Sequence, residues 1–272
     1  MRFAPNLLEE YAQKCRADGQ SEETIKVKLR NLRIFAYFCA DNELTLELMS
    51  QWREYINERY SKPYSRINMV CKTNVFLEFL GLSELKINSF EVERRKLHSK
   101  LKDDLTIDEL KKMLDYTEKT ENIQANLLIR VLAVTGIRSG EIQHITIEAV
   151  NAGVSEFVHH RQPRKVLLPG GLCRLLSDYA ISQKIVVGPI FITRNGNPIH
   201  QRGIGTYLKK IAANVDIPTD KINPTAFRIL FAKAYYEKYN DLSGLTDLLG
   251  VKDLDMAVLY VKENDCLSDM LI

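Results

Sequence analysis

Two arginines and a tyrosine stand out for the chemistry they could perform together. They are Arg138 in Thr-Gly-Ile-Arg-Ser-Gly-Glu, Arg228 in Pro-Thr-Ala-Phe-Arg, and Tyr260 in Ala-Val-Leu-Tyr-Val. A phosphodiester carries one negative charge and gains more in a pentacovalent transition state. Two guanidiniums, charged at any physiological pH, can grip its non-bridging oxygens through forked hydrogen bonds. Donors fixed before the charge develops lower the barrier without having to reorganise. A phenol, with an ordinary pKa of about 10, becomes a useful nucleophile once a neighbouring basic or cationic group helps to remove its proton. Each residue alone has a plainer reading. Arg138 is a surface arginine paired with Glu141, Arg228 is an arginine needing a partner in an apolar run, and Tyr260 is a core aromatic beside Leu259.

Read in order along the chain, these segments form a recognisable set. Thr135-Gly136-Ile137-Arg138 is followed three residues later by Glu141, Thr225-Ala226-Phe227-Arg228 comes next, and Leu248-Leu249-Gly250-Val251 precedes Tyr260 by nine residues. This set resembles the two arginine boxes, the Leu-Leu-Gly-His segment and the nucleophile of the tyrosine recombinase (phage integrase) family. Ser21–Ile25, Leu32–Phe38 and Asn68–Leu80 are similar to that family's helical core-binding domain. The resemblance implies a site-specific DNA recombinase that cleaves and rejoins duplex DNA through a 3′-phosphotyrosine and a free 5′-hydroxyl. Its outcome would be integration, excision or inversion. Arg138, Arg228 and Tyr260 would be catalytic, with Glu141 in support. The covalent intermediate conserves the phosphodiester energy, so no cofactor or metal is expected.

The chain departs from the family pattern at three places. Thr225 stands where histidine is usual; it can donate a hydrogen bond but cannot serve as an acid or base near neutral pH. Val251 replaces a histidine or tryptophan, with Lys252 adjacent as a possible substitute donor. The family's hairpin lysine, proton donor to the leaving 5′-oxygen, falls in His159-His160-Arg161-Gln162-Pro163-Arg164-Lys165. Counting back from Leu168-Pro169 without a gap puts His159 at that position, and a shorter hairpin puts His160 or Arg161 there. These changes motivate a second reading, a catalytically impaired DNA-binding relative that acts as accessory subunit or regulator of a partner recombinase. A third is a helical protein-interaction module with no DNA role.

The elements that must hold these residues read as mostly helical with a small β-sheet. Ser21 caps a long amphipathic helix whose apolar stripe is Ile25, Leu29, Leu32, Ala36 and Cys39. Lys26, Lys28, Arg30 and Arg33 lie off that stripe, either a solvated face or a DNA-facing one. A second apolar stretch runs through Val70, Val75, Phe76, Phe79 and Leu80. Thr106 and Glu109 form a capping box at the start of another helix. A long apolar helix covers about 124–134, and Thr135–Arg138 breaks it before a further helix. Strands are expected at 153–158 and 165–168, joined by a turn around Gln162-Pro163. The expected division is an N-terminal helical, SAM-like domain over 1–87, a basic linker over 88–104 and an α+β catalytic domain over 105–272. The resemblance implies that the two domains clamp duplex DNA, with Arg161 and Arg164 joining the Lys26–Arg33 face as contacts. Four protomers would assemble head to tail on DNA, alone or with a second recombinase.

Composition is compatible with this. With 45% hydrophobic and 27% charged residues, the 272-residue chain can build ordinary globular cores. A net charge of +3 admits nucleic acid without demanding it. Five cysteines without metal-ligand spacing suggest reduced thiols. With no apolar run of membrane-spanning length, a soluble cytoplasmic, nucleoid-associated protein is expected.

Overall fold

The computed structural model describes residues 3–4, 6–40, 42–90, 104–159, 162–251 and 254–261. The chain divides into two compact units, residues 1–94 and 95–272. Most of the stretch expected to link them, 91–103, lies outside the described residues, as do His160, Arg161, Lys252 and residues 262–272.

The first unit is helical: α1 (Leu7–Ala17), α2 (Glu22–Cys39), α3 (Leu46–Arg59) and α4 (Pro63–Phe79). The Ser21 side chain accepts the Thr24 backbone N–H at 3.3 Å, satisfying a donor that the first turn of α2 leaves free. Ile25, Leu32, Phe35 and Cys39 turn into the core around Trp52, whose Nε1 donates to the Thr73 hydroxyl at 3.1 Å. Val75 departs from expectation, with 47% of its surface exposed. Its neighbours Phe76 and Leu77 take the core-facing arc of α4, and at 100° per residue Val75 is carried out of it.

The basic residues of α2 also sort by angle. Lys26, Arg30 and Arg33 are exposed at spacings of four and three, and Tyr37, 86% exposed, extends the same face. Lys28 lies on the far side of the helix, its Nζ 5.8 Å from the centre of the Tyr11 ring, so it does not belong to that stripe.

The second unit contains α5 (Ile107–Lys119), α6 (Ile123–Thr135), α7 (Ile147–Ala152), β1 (Val154–His159), β2 (Gln162–Leu167), α8 (Gly170–Ser182), α9 (Gln201–Ala213), α10 (Pro224–Tyr239), α11 (Leu242–Leu249) and α12 (Leu254–Val261). Both halves of the Thr106–Glu109 capping box form. Glu109 also pairs with Lys221 at 3.0 Å. Helix α6 runs through the core, burying Leu127, Leu128, Ile129, Val131 and Leu132. It ends at Gly136 with φ 60°, and a Cβ there would come within 2.5 Å of Phe231. The helix expected after this break is a 3-10 turn, Ser139–His144. Ser139 and Gly140 are poor α-formers, and the segment is too short to propagate an α-helix without them. The strands pair antiparallel from Val154↔Leu167 to His159↔Gln162, so Gln162 and Pro163 belong to the ladder rather than to the turn. Among the described residues no helix is long and apolar enough to cross a membrane.

Candidate active site

The C-terminal end of α11 organises the site. Asp241 caps the start of this helix, and Gly250 closes it in the left-handed region at φ 58°. A helix end leaves carbonyls without intrahelical partners and carries the negative end of the helix dipole. Here four consecutive carbonyls accept from three arginines. Arg164 donates Nη1 to Asp247 at 3.2 Å and Nη2 to Leu248 at 2.7 Å. Arg228 donates Nη2 to Leu249 at 2.6 Å, and Arg138 donates Nη2 to Gly250 at 3.1 Å. The Leu-Leu-Gly segment thus serves as an acceptor rail for guanidiniums supplied by a loop, a strand and a helix.

Each arginine is held by a second element. Arg138 follows the Gly136 turn; its Nη1 donates to Glu141 Oε1 at 2.9 Å and its backbone N–H to Oε2 at 3.0 Å. Glu141 is 1% exposed, whereas the Arg138 side chain keeps 32%. The plain pairing of Arg138 with Glu141 is therefore present and still leaves the guanidinium open to solvent. Arg228, in the first half of α10, is buried and donates Nη1 to the Gly136 carbonyl at 2.6 Å. Its Nε is buried with no hydrogen-bond partner, and its Cζ lies 5.2 Å from the centre of the Tyr260 ring. Burial lowers the Arg228 pKa, Tyr260 works against that, and Arg138 adds like-charge repulsion.

Tyr260 on α12 is half-buried against a small cluster of Ala232, Leu245 and Leu249, where Val251 also packs. Thr225 is exposed in the first turn of α10, three residues before Arg228 and hence on the same side of the helix. His159 closes β1 opposite Gln162. Lys165 points outward and pairs with Glu156 at 2.6 Å.

Arg164 differs from its expected place among the DNA-facing residues. It is 5% exposed and directed inward, because alternation along β2 puts it on the buried face with Val166. Its Nε stands 4.0 Å from Glu141 Oε1. Burial, offset by Glu141 and reinforced by Arg228 and Arg138, brings its pKa down to about 10. That remains well above neutral, so three cations surround one carboxylate and the pocket is net positive. A separate cleft of about 880 Å³ on this unit carries Arg194, Arg202 and Lys210 and has no acidic residue in its lining. Sequence reading missed these three, since isolated cations on mixed segments give no periodic signal.

Residues 103–266 match the Phage integrase family, which is more than half of the chain, and the chain belongs to that family of tyrosine recombinases. Tyrosine recombinase XerD of Staphylococcus haemolyticus (strain JCSC1435) is 26% identical over 180 residues, spanning 62% of this chain and 61% of that relative. XerD of Staphylococcus epidermidis (strain ATCC 35984) is 23% identical over 275 residues, 93% of this chain and 92% of the relative. Among solved structures, a lambda integrase(75–356) dimer bound to a COC′ core site superimposes with a TM-score of 0.76 at 16% identity. The match covers 98% of this chain and 99% of that one. The fold is accordingly the mostly helical, two-domain architecture with one small sheet.

Proposed function

We propose that this chain is a site-specific DNA recombinase in which Arg138 and Arg228 hold the scissile phosphate and Tyr260 attacks it. The observation that carries this reading is the convergence of both guanidiniums on one helix end, with the Tyr260 ring 5.2 Å from Arg228. The Tyr260 Oη forms a bond to phosphorus as the bond to the 5′-oxygen breaks. The products are a 3′-phosphotyrosine and a 5′-hydroxyl. The tyrosine proton passes to a neighbouring base or water, and the leaving oxygen takes a proton from the hairpin, where His159, His160 and Arg161 remain the alternatives. Of these only a histidine releases a proton readily near neutral pH. Attack by a 5′-hydroxyl on the phosphotyrosine reverses the step and seals the strand, so neither ATP nor a metal is consumed.

Arg164 and Arg228 each bury an Nε without a hydrogen-bond partner; that of Arg228 belongs to the guanidinium beside the Tyr260 ring and would be satisfied by a phosphate oxygen admitted there. The open part of Arg138 supplies the other grip. Thr225 contributes a hydroxyl donor rather than a proton relay, and Val251 contributes packing, with Lys252 as the nearest cation in sequence. Losing a positioned acid or base typically costs ~10²–10⁴ in rate, so slow cleavage is expected. The Lys26, Arg30 and Arg33 face and the Arg194–Arg202–Lys210 cleft would track phosphates of the duplex. Exchange between two duplexes breaks four strands, which calls for four protomers in a closed ring on DNA, with or without a second recombinase.

The test is covalent trapping. The protein is incubated with nicked duplexes drawn from DNA flanking its own gene, and a denaturant-resistant adduct is sought. An adduct that disappears with Tyr260→Phe supports the reading. Salt-sensitive DNA binding with no adduct on any such duplex would instead favour the non-cutting accessory relative.

A further inference from the structure

Arg164 fits none of the roles assigned so far. Its Nη groups face protein: Nη1 donates to the Lys165 and Asp247 carbonyls and Nη2 to that of Leu248, while its Nε is buried without a hydrogen-bond partner and only 5% of the residue is exposed. Its Nη groups are thus spent on protein carbonyls, and its Nε faces the Glu141 carboxylate rather than Tyr260. Yet it meets both groups that orient Arg138. Its Nε stands 4.0 Å from the same Glu141 Oε1 that takes Arg138 Nη1 at 2.9 Å. It also grips two carbonyls of the segment whose next two carbonyls, Leu249 and Gly250, receive Arg228 and Arg138. Gly250 makes room for this: a Cβ there would lie 2.8 Å from Arg164 Cδ and Nε and 2.9 Å from Cζ.

We propose that Arg164 is a positioning residue, fixing the end of α11 and the Glu141 carboxylate so that Arg138 and Arg228 stand ready for the phosphate. This inference rests on reading that pair as the phosphate grip. A purely structural role is a poorer account, because a third buried guanidinium beside two others is a costly way to fill space. Apolar residues of similar volume commonly replace buried charge at no loss of stability. Burial together with the like charges of Arg228 and Arg138 is what lowers the pKa of this group.

The experiment compares the full chain with Arg164→Met and Arg164→Lys by two readouts. The first is the single-turnover rate of covalent adduct formation on a nicked duplex, measured alongside duplex affinity. The second is the pair of side-chain Nε–Hε NMR signals of Arg138 and Arg228, assigned by substitution. The expected result is duplex affinity within about twofold of the parent chain and adduct formation slowed on the order of 10²-fold in Arg164→Met, the scale of a misplaced reacting group. The Lys variant, which restores charge without the fork, recovers part of the rate. Both Nε–Hε signals move in Arg164→Met. A rate within about twofold of the parent chain, or a rate loss accounted for by weaker DNA binding, would overturn the proposal. If the Met variant does not fold, Arg164→Gln takes its place and is read in the same way. If the parent chain forms no adduct at all, the cleavage reading fails by itself. The NMR signals then decide the positioning claim: moved signals support it and unmoved signals refute it.

Discussion

The packing of Gly250 against Arg164 can be tested by a double-mutant cycle. Gly250→Ala faces two separate costs. Its φ of 58° is left-handed, which costs an alanine about 1–2 kcal/mol. Its new Cβ would also sit 2.8 Å from the Arg164 side chain, an overpacking that costs about 1–3 kcal/mol. Gly196 separates the two effects, since its φ is 77° but nothing lies within 4 Å of an added Cβ. Gly196→Ala should therefore cost only the backbone part, ~1 kcal/mol, and Gly250→Ala about 3 kcal/mol. In an Arg164→Ala background the obstructing side chain is gone, and Gly250→Ala should fall back to the backbone cost, a coupling of about 2 kcal/mol. Trp52, the only tryptophan, lies in the N-terminal unit, so its fluorescence would not report the second unit. Amide hydrogen exchange in α6, the most buried helix of the second unit, is the appropriate probe. A coupling of about 2 kcal/mol corresponds to roughly 30-fold in exchange rate. Additive effects of the two substitutions would show that Gly250 is not held by Arg164 and that the packing argument is wrong.

Three further outcomes follow from the same geometry. Glu141→Gln removes the carboxylate between Arg138 and Arg164 and should destabilise the second unit by about 3 kcal/mol by hydrogen exchange; a loss below about 1 kcal/mol would mean the cations do not depend on it. The Glu109 carboxyl is desolvated, but hydrogen bonds from Thr106 and the charge of Lys221 outweigh that and leave its pKa below the ordinary carboxylate value. Its contribution is thus complete above an unfolded pKa of about 4.3 and is lost as pH falls through the lower folded value, so Glu109→Gln should cost ~1 kcal/mol at neutral pH and flatten that part of the stability profile. Replacing Lys26, Arg30 and Arg33 together by Gln should lower the slope of log affinity against log salt by about 0.9 for each phosphate no longer neutralised, and an unchanged slope would place DNA on another face.

Much of the site is legible in the sequence because its parts are local. The Gly136 turn before Arg138, the Glu141 spacing, the cap at Thr106 and the Leu-Leu-Gly helix end are each set within a few residues of chain. What escapes such reading depends on distant partners or on angle. Arg164 sits in a basic hairpin and by composition resembles one more surface cation. The alternation that pairs it with Val166, and sends Lys165 outward, is the signal that it turns inward. Charge alone groups Lys28 with its neighbours, whereas the helical angle separates it. Residue type alone assigns Val75 to the core, although Phe76 and Leu77 already fill that arc. That Arg138, Arg164 and Arg228 share one helix end is not readable from sequence, since 112 residues separate Arg138 from the Gly250 carbonyl it reaches.

The central claim is that Tyr260 is the residue that becomes joined to DNA. The most direct measurement is to digest a trapped protein–DNA adduct with protease and nuclease and to locate the nucleotide-bearing peptide by mass spectrometry. The account predicts a 3′-linked nucleotide on Tyr260, absent from Tyr260→Phe. A nucleotide carried by any of the other 11 of the chain's 12 tyrosines, or by a serine, would contradict it.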